Sequence, residues 1–484
     1  MPFQPIKAVA FDMDGVLVDS EIVYLRHQLE VLHPDFPQVR ETDLYPTVGM
    51  SDAEYRPFLA KLLGFSQHDP EFQRVLAAVS ASCTIHFREI LRPGTESVLK
   101  TLKGMGMQLA LVSSSPKKEI CQMLRECGLG QYFDCVVSGE EFARSKPDPE
   151  IYRCTFRRLG RMPEECLIVE DSTYGVAAGA ASGAVVAALR DDRFPFDQSP
   201  ARLRIDDLAE VPRLAACGGR RIQAAFFDID GTLGQMGTHK IPKSVRTALQ
   251  MLHRNGIARI VCTGRHPIEI EQEDLLPGLT FDGAVYLNGQ ICVLHDKTVS
   301  RNQIPGDDLL ALKRFLEETG RSCIFMEESR LYCNRVDERI RREQSNIGTA
   351  VPPVQPVDGL EHRDIYQVIP FISREEEQEL LARMPHCKSM RWGENVIDIN
   401  SQTSGKASGI QTICNELGIL PENVIAFGDG ENDMEMLSAA GIGVAMGNAL
   451  PCVKEIADYV TEAVEQDGIL LALQHFRLLG DSVI

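Results

Sequence analysis

No apolar run in this chain of 484 residues reaches the ~18 that a membrane-spanning helix needs. The best candidate, 176–189, is short and mostly Ala and Gly. The first apolar stretch, 8–11, runs straight into Asp12 and Asp14, so it is no secretory leader. None of the 14 cysteines stands in a C-x-x-C pair, which removes the usual zinc and redox spacings. Scattered singly, they read as small buried residues of a reducing compartment, and a cytoplasmic protein is expected. Basic residues are scarce: 50 Lys and Arg face 69 Asp and Glu, a net charge of −19. That excludes a general nucleic-acid binder and an electrostatic membrane dock. Phosphorylated small molecules remain open as partners, provided a cation or local donors supply the positive field. Gly441, Gly443 and Gly447 miss the G-x-G-x-x-G spacing, so a dinucleotide site is not expected. What is present is ordinary globular material, 44% hydrophobic and 25% charged. It is enough to bury two cores.

A repeat halves the chain. Ala8-Val9-Ala10-Phe11-Asp12-Met13-Asp14-Gly15 returns as Ala224-Ala225-Phe226-Phe227-Asp228-Ile229-Asp230-Gly231. Each copy is a short apolar run ending in acids and a glycine. Helical and strand-like patterns then alternate, as in 97–104 before 108–112 and 245–255 before 258–262. Alternation of this kind predicts an α/β chain of two doubly wound parallel sheets with helices on both faces. The segment 191–221, with Pro195, Pro200, Pro212 and Gly218-Gly219, reads as the last small elements of the first module and then a linker. The boundary is placed near Cys217, giving modules 1–217 and 218–484.

Each module carries four clusters in the same order. The D-x-D-G acids leave a strand end on one side and can share a site, although a single copy would equally fit an acidic turn. Strands 109–113 and 260–263 end in the hydroxyls Ser113 and Thr263, residue types that also serve as plain caps. Lys146, among Pro147 and Pro149, and Lys406, after Gly405, sit in segments that suggest fixed loops. Apolar strands then end in Glu170-Asp171 and in Gly428-Asp429-Gly430-Glu431-Asn432-Asp433. The latter is no calcium loop, because Met434 stands where that loop needs glycine.

Together these residue types suit phosphoryl transfer, which needs a nucleophile, a proton donor and cations for three equatorial oxygens. Asp12 can attack phosphorus, and Asp14 can protonate the leaving oxygen and later deprotonate water. Asp12 with Asp171 offers hard oxygens for magnesium, Lys146 adds charge, and Ser113 donates a hydrogen bond. Asp228, Asp230, Asp429, Lys406 and Thr263 repeat the set.

With the motifs in this order, both modules resemble haloacid-dehalogenase-like (HAD) phosphohydrolases over nearly the whole chain. Phe11 to Gly15, Asp19-Ser20-Glu21 and Ser145-Lys146-Pro147-Asp148-Pro149 resemble the β-phosphoglucomutase-like branch. The run from Gly428 to Leu437, followed by Gly443-Val444-Ala445-Met446-Gly447-Asn448-Ala449, resembles the Cof-type sugar-phosphatase branch. The resemblance implies a magnesium-dependent phosphatase working through aspartyl-phosphate. Its implied metal set is Asp12, Asp14, Glu170 and Asp171, and Asp228, Asp230, Asp429 and Asp433. Asn288, in the Asn288-Gly289 pair, and Asn432 are candidate substrate contacts; the alternative for Asn288 is a turn-former.

Motif spacing locates two inserts. Asp12 and Ser113 are 101 residues apart, whereas Asp228 and Thr263 are 35 apart. The interval from Ser113 to Lys146 is 33 residues, and that from Thr263 to Lys406 is 143. Inserts of roughly 70 and roughly 110 residues are too long for structureless loops, so each is a small folded subdomain. The first, about 20–91, keeps a helical period; the second, about 290–390, mixes alternating runs such as 322–326 and 365–371 with helical 308–318. These resemble the family's helical and α/β caps. Mutase members of the first branch carry a cap histidine and arginine where this chain has Tyr24 and, after Gly49-Met50-Ser51, Asp52. That favours hydrolysis. The expected function is a bifunctional phosphatase of small metabolites, sugar phosphates foremost; alternatives are one module as a sugar phosphomutase or as a silent binding domain.

Overall fold

The computed structural model describes residues 3–48, 50, 52–79, 85–347 and 349–480. Its internal contacts divide it into two compact units, Gln4–Arg221 and a second from Ile222 onward that also takes in Phe3. Cys217, where composition puts the boundary, is fully buried behind the helix Val211–Ala216 of the first unit.

In the first unit, strands β1 (Ala8–Phe11), β2 (Gln108–Ser113), β3 (Cys135–Ser138), β4 (Cys166–Glu170), β5 (Val185–Leu189) and β6 (Leu203–Ile205) form one sheet. Its order is β3-β2-β1-β4-β5-β6 with every pair parallel. Parallel strands buried on both faces read as continuous apolar runs, and here the period of two still sorts the residues. Val9 and Phe11 join one core with Leu109, Leu111, Leu167 and Val169. Ala8 and Ala10 face the other, where the large side chains Tyr152 and Phe156 of the helix Glu150–Leu159 fill the space that small strand residues leave. The cap comprises the helices Glu21–Leu32, Glu41–Leu44, Asp52–Leu63 and Pro70–Val79. Leu25, Leu32, Leu59 and Phe72 build its own core. Val23 and Tyr24, on the opposite side of the first cap helix, pack onto the sheet's core. Gly49 and Ser51 lie outside the described residues.

The second unit contributes core strands β7 (Ala224–Phe227), β8 (Ala258–Cys262), β9 (Gly283–Tyr286), β10 (Ile291–Leu294) and β11 (Lys297–Arg301). Cap strands β12 (Cys323–Glu327), β13 (Arg330–Cys333), β14 (Gln367–Pro370), β15 (Cys387–Gly393) and β16 (Val396–Ser401) follow. The core then resumes with β17 (Val424–Gly428), β18 (Ile442–Ala445) and β19 (Tyr459–Val460). The core sheet runs β11-β10-β9-β8-β7-β17-β18-β19, parallel from β9 to β19 and closed at one edge by the antiparallel pair β10 and β11. The cap sheet, β13-β12-β14-β16-β15, is antiparallel throughout. Spacing assigns 290–390 to the cap, but β10 and β11 belong to the core sheet and the cap sheet extends to Ser401. Spacing dates an insertion without revealing which sheet its first and last strands join. Both cores are α/β and doubly wound. Among the described residues no helix is long and apolar enough to cross a membrane.

Candidate functional site

In each unit the acids gather at the carboxyl ends of the central strands, where ligands of open α/β sheets bind. Asp12 follows β1, and its N–H donates to Val169 O at 3.0 Å. Its Oδ1 accepts from Lys146 Nζ at 2.6 Å, and the same ammonium donates to Glu170 Oε1 at 2.6 Å and Val112 O at 3.2 Å. Glu170, fully buried, also accepts from Tyr152 Oη at 2.5 Å. Burial works against the Lys146 charge, but the Asp12 and Glu170 carboxylates outweigh it and hold the ammonium well above its ordinary range. Burial pushes Asp12 itself up to about 8 against the pull of Lys146, with Glu170 and Asp14 adding to the rise. Asp171 is driven up by burial and by the neighbouring Glu170 and Asp12.

The second unit repeats this with other residues. Lys406 Nζ donates to Asp228 Oδ1 and Asp433 Oδ1, each at 2.6 Å. Asp433 turns its other oxygen to the N–H groups of Asp429 and Gly430, both at 2.9 Å. Asp429 accepts from Thr232 Oγ1 at 3.3 Å and Asn448 Nδ2 at 3.3 Å. Burial raises Asp228 well above the carboxylate range, and burial together with Asp433 brings Asp429 to about 6.

Among the described residues, two groups of three acids have oxygens within 4.8 Å of one another: Asp12, Glu170 and Asp171, and Asp228, Asp429 and Asp433. Each holds three carboxyls against one lysine in a nearly dry site, and all donors are hard oxygens. A divalent cation such as magnesium fits that donor set. The glycines beside them make room: a Cβ on Gly15, at φ +73°, would lie 1.9 Å from Asp171 Oδ2, and one on Gly231, at φ +80°, 2.1 Å from Asp429 Oδ2. Glu170 and Asp433 belong to the clusters, yet each is largely committed to its lysine and neighbouring donors.

Asp14 and Asp230, placed among the metal acids by sequence, are not in either group. The chain leaves the strand after Phe11 and Phe227, bending at Met13 and turning at Ile229, so the second acid of each pair turns to other partners. Asp14 accepts from three hydroxyls: Ser20 at 2.5 Å, Ser115 at 2.6 Å and Ser113 at 3.4 Å. Asp230 is gripped by Arg265, Nε at 2.9 Å and Nη2 at 3.1 Å. Thr263 is buried, its Oγ1 accepting from Arg265 N–H at 3.1 Å and its carbonyl from Asn288 N–H at 3.0 Å. Asn288 is buried at φ +53° between left-handed Leu287 and Gly289, and its Oδ1 has no hydrogen-bond partner. Such strain in a buried segment is a mark of functional sites. Gly289 backs onto Gly405 (a Cβ there would meet Gly405 O at 2.2 Å), so Asn288 bridges the Thr263 and Lys406 loops. Asn432 is half-buried beside Gly430. Tyr24 Oη donates to Glu119 at 3.0 Å. Sequence reasoning did not single out Ser115, Tyr152, Arg265 or Asn448 as site residues.

A family model described as haloacid dehalogenase-like hydrolase matches residues 225–473, just over half the chain, and a second of that description matches 9–189. The chain belongs to the haloacid dehalogenase-like hydrolases. YkrA of Bacillus subtilis (strain 168), provisionally named a phosphatase, is 33% identical over 256 residues, which is 52% of this chain and 97% of that protein. A phosphorylated carbohydrates phosphatase of Thermotoga maritima is 34% identical over 181 residues, 37% of this chain and 82% of that one. A solved phosphatase structure of the superfamily from Bacteroides thetaiotaomicron is 31% identical with a TM-score of 0.50, covering 53% of this chain and 96% of that one.

Proposed function

We propose that this haloacid dehalogenase-like hydrolase is a bifunctional magnesium-dependent phosphatase of small phosphorylated metabolites, sugar phosphates foremost, with one complete site in each unit. The observation that carries this reading is the buried lysine that bridges the candidate nucleophile to an anchoring acid in both units, Asp12–Lys146–Glu170 and Asp228–Lys406–Asp433. Asp12 and Asp171, and Asp228 and Asp429, are the acids that would hold the cation. When bound, it supplies positive charge to the transferring phosphoryl oxygens and favours the ionised acids.

The free oxygen of Asp12 attacks phosphorus and forms an aspartyl-phosphate while Lys146 holds the other oxygen and fixes the carboxylate plane. Asp14 gives its proton to the leaving oxygen and then takes one from the water that cleaves the acyl phosphate. Ser113 and Thr263 offer hydrogen bonds to the phosphoryl oxygens. In the first unit the mutase histidine position is Tyr24, engaged with Glu119, which supports release to water over return to the sugar. The Thermotoga maritima relative, named for phosphorylated carbohydrates, supports sugar phosphates as the substrate class.

The test is a panel of phosphate monoesters run on wild type, Asp12→Asn and Asp228→Asn. Each substitution is expected to abolish one set of activities and spare the other. Loss of every activity from either single change would make the units one coupled enzyme. With a substrate whose phosphorus is made chiral by oxygen isotopes or sulfur, transfer through the Asp12 or Asp228 carboxylate should retain configuration at phosphorus; inversion would mean direct attack by water.

A further inference from the structure

The segment between β5 and β6 reads in sequence as the approach to a linker. In the fold it does something else. Phe194 is only 6% exposed and sits in the cap's core, its ring edge-on to Tyr45 at 5.4 Å and beside Phe196 at 5.4 Å. Arg193 holds Asp19, at the entry to the cap, through Nη1 at 2.9 Å and Nη2 at 2.7 Å. Four residues beyond Phe194 the same loop reaches the candidate metal acid. Gln198, 7% exposed, donates through Nε2 to Asp171 O at 2.5 Å and Leu189 O at 2.8 Å, and Asp197 N–H donates to Thr173 Oγ1 at 2.8 Å. One short stretch is therefore seated in the cap at one end and bonded to the Asp171 backbone at the other.

We infer that Gln198 is a positioning residue for Asp171, and that loop 190–200 transmits the cap's position to the metal acid. This rests on the reading of Asp171 as a metal acid. Asp12 is 7% exposed and Asp171 3%, and the cap helix Glu21–Leu32 packs through Val23 and Tyr24 on the sheet's core, so a shift of the cap changes access to these acids. During that shift Phe194 must leave its apolar seat or carry the loop along. Leaving exposes a buried aromatic ring; moving pulls on Gln198 and so on the carbonyl of Asp171. Backbone partners of a metal acid set its orientation as side-chain partners do, so closure of the cap orders the acid and opening relaxes it.

The test is hydrogen exchange of the peptide around Asp171–Thr173 in the full chain, metal-free and titrated with magnesium. Gln198→Met keeps the volume and removes both donated bonds; it should raise exchange in the metal-free protein and shift the magnesium midpoint upward about tenfold. Phe194→Leu leaves Gln198 intact and should act in the same direction. The double variant should exchange no faster than Gln198→Met alone, because the loop can transmit nothing once its bond to Asp171 is cut. Additive effects, or a silent Phe194→Leu, would overturn the inference. If magnesium protects nothing in any variant, the metal reading fails, while the metal-free exchange rates still decide whether the cap and Asp171 are coupled.

Discussion

Lys406→Met removes one charge from the centre of the second site and little volume. Lys406 is fully buried, with Nζ 2.6 Å from both Asp228 and Asp433. At that separation and an effective dielectric of ~20, each contact is worth about 6 kcal/mol before desolvation is subtracted. Removing one partner of a buried pair costs about 3–5 kcal/mol, since the remaining charge keeps its desolvation penalty without its compensation. Protonation sets the ceiling. Burial already holds Asp228 far up, and neutralising one more ordinary carboxyl at pH 7 costs at most about 4 kcal/mol, falling to about 1.4 kcal/mol at pH 5. The variant's folded state therefore binds an extra proton, and its stability deficit must grow with pH. The chain's single tryptophan, Trp392, falls in this unit, so its fluorescence in urea reports on this unit and not on the first, and circular dichroism of wild type and variant gives the paired transition. In metal-free protein the expected deficit is about 3–4 kcal/mol at pH 8 and about half that or less at pH 5. A deficit under ~1 kcal/mol at pH 8, or one equal at both values, would refute the account of the lysine as the counter-charge of a buried acid cluster.

Three further outcomes are expected. In metal-free protein Asp12 near 8 and Asp429 near 6 bind protons when folded that they lose when unfolded, so their contribution to stability is full below pH ~4 and is lost as pH rises through those values. Calorimetry should accordingly show magnesium raising the melting temperature more at pH 8 than at pH 5.5; an equal rise at both would count against the cluster as its site. Tyr152→Phe, which deletes the hydroxyl bonded to Glu170 at 2.5 Å, should cost the first unit about 1.5–3 kcal/mol in calorimetric stability. Arg265→Lys keeps the charge but loses the two-nitrogen grip on Asp230, and kcat of the second unit should fall by about 10²-fold with KM little changed, as kinetics on an Asp12→Asn background would show.

Much of this site is legible in sequence because its parts are strand ends. An apolar run that stops at acids announces both a buried strand and the residues at its mouth, and two copies 216 residues apart make a coincidental turn a poor explanation. What escapes is whatever the same local pattern describes equally well as core. Tyr152 lies on the helix after the Lys146 loop at a position that periodicity assigns to the interior; only the fold shows its hydroxyl on Glu170. Ser115 and Asn448 stand beside motifs but in loops, where residue type does not reveal direction. Phe194 sits at the start of a proline-marked stretch read as the last small elements of the first module and then a linker, yet it completes the cap's core from outside the cap's own segment. β10 and β11 continue from neighbouring β9, and β15 pairs with β16, which joins the cap sheet through β14; alternation marks each as a strand without naming its partner.

The two units also differ at the reacting centre, before any contribution from the caps. Both place the candidate proton donor two residues beyond the nucleophile, but Asp14 is surrounded by neutral hydroxyls and Asp230 by a guanidinium, with His239 Nδ1 also 3.4 Å away. Hydroxyls can follow a proton on or off a carboxyl by rotating, since each both donates and accepts. A guanidinium only donates, so Arg265 cannot take up or relay a proton, and a leaving oxygen meets less competition at Asp230 once Arg265 releases one of its oxygens. Substrate binding is the step at which that release can be driven, because an incoming phosphate offers Arg265 a competing pair of oxygens in the same planar geometry. If Asp230 is the proton donor, phosphate is expected to loosen it from Arg265 in the second unit, whereas the hydroxyls around Asp14 in the first meet no such competition. The caps, inserted at different points and built from different elements, add a second difference to the one between Asp14 and Asp230.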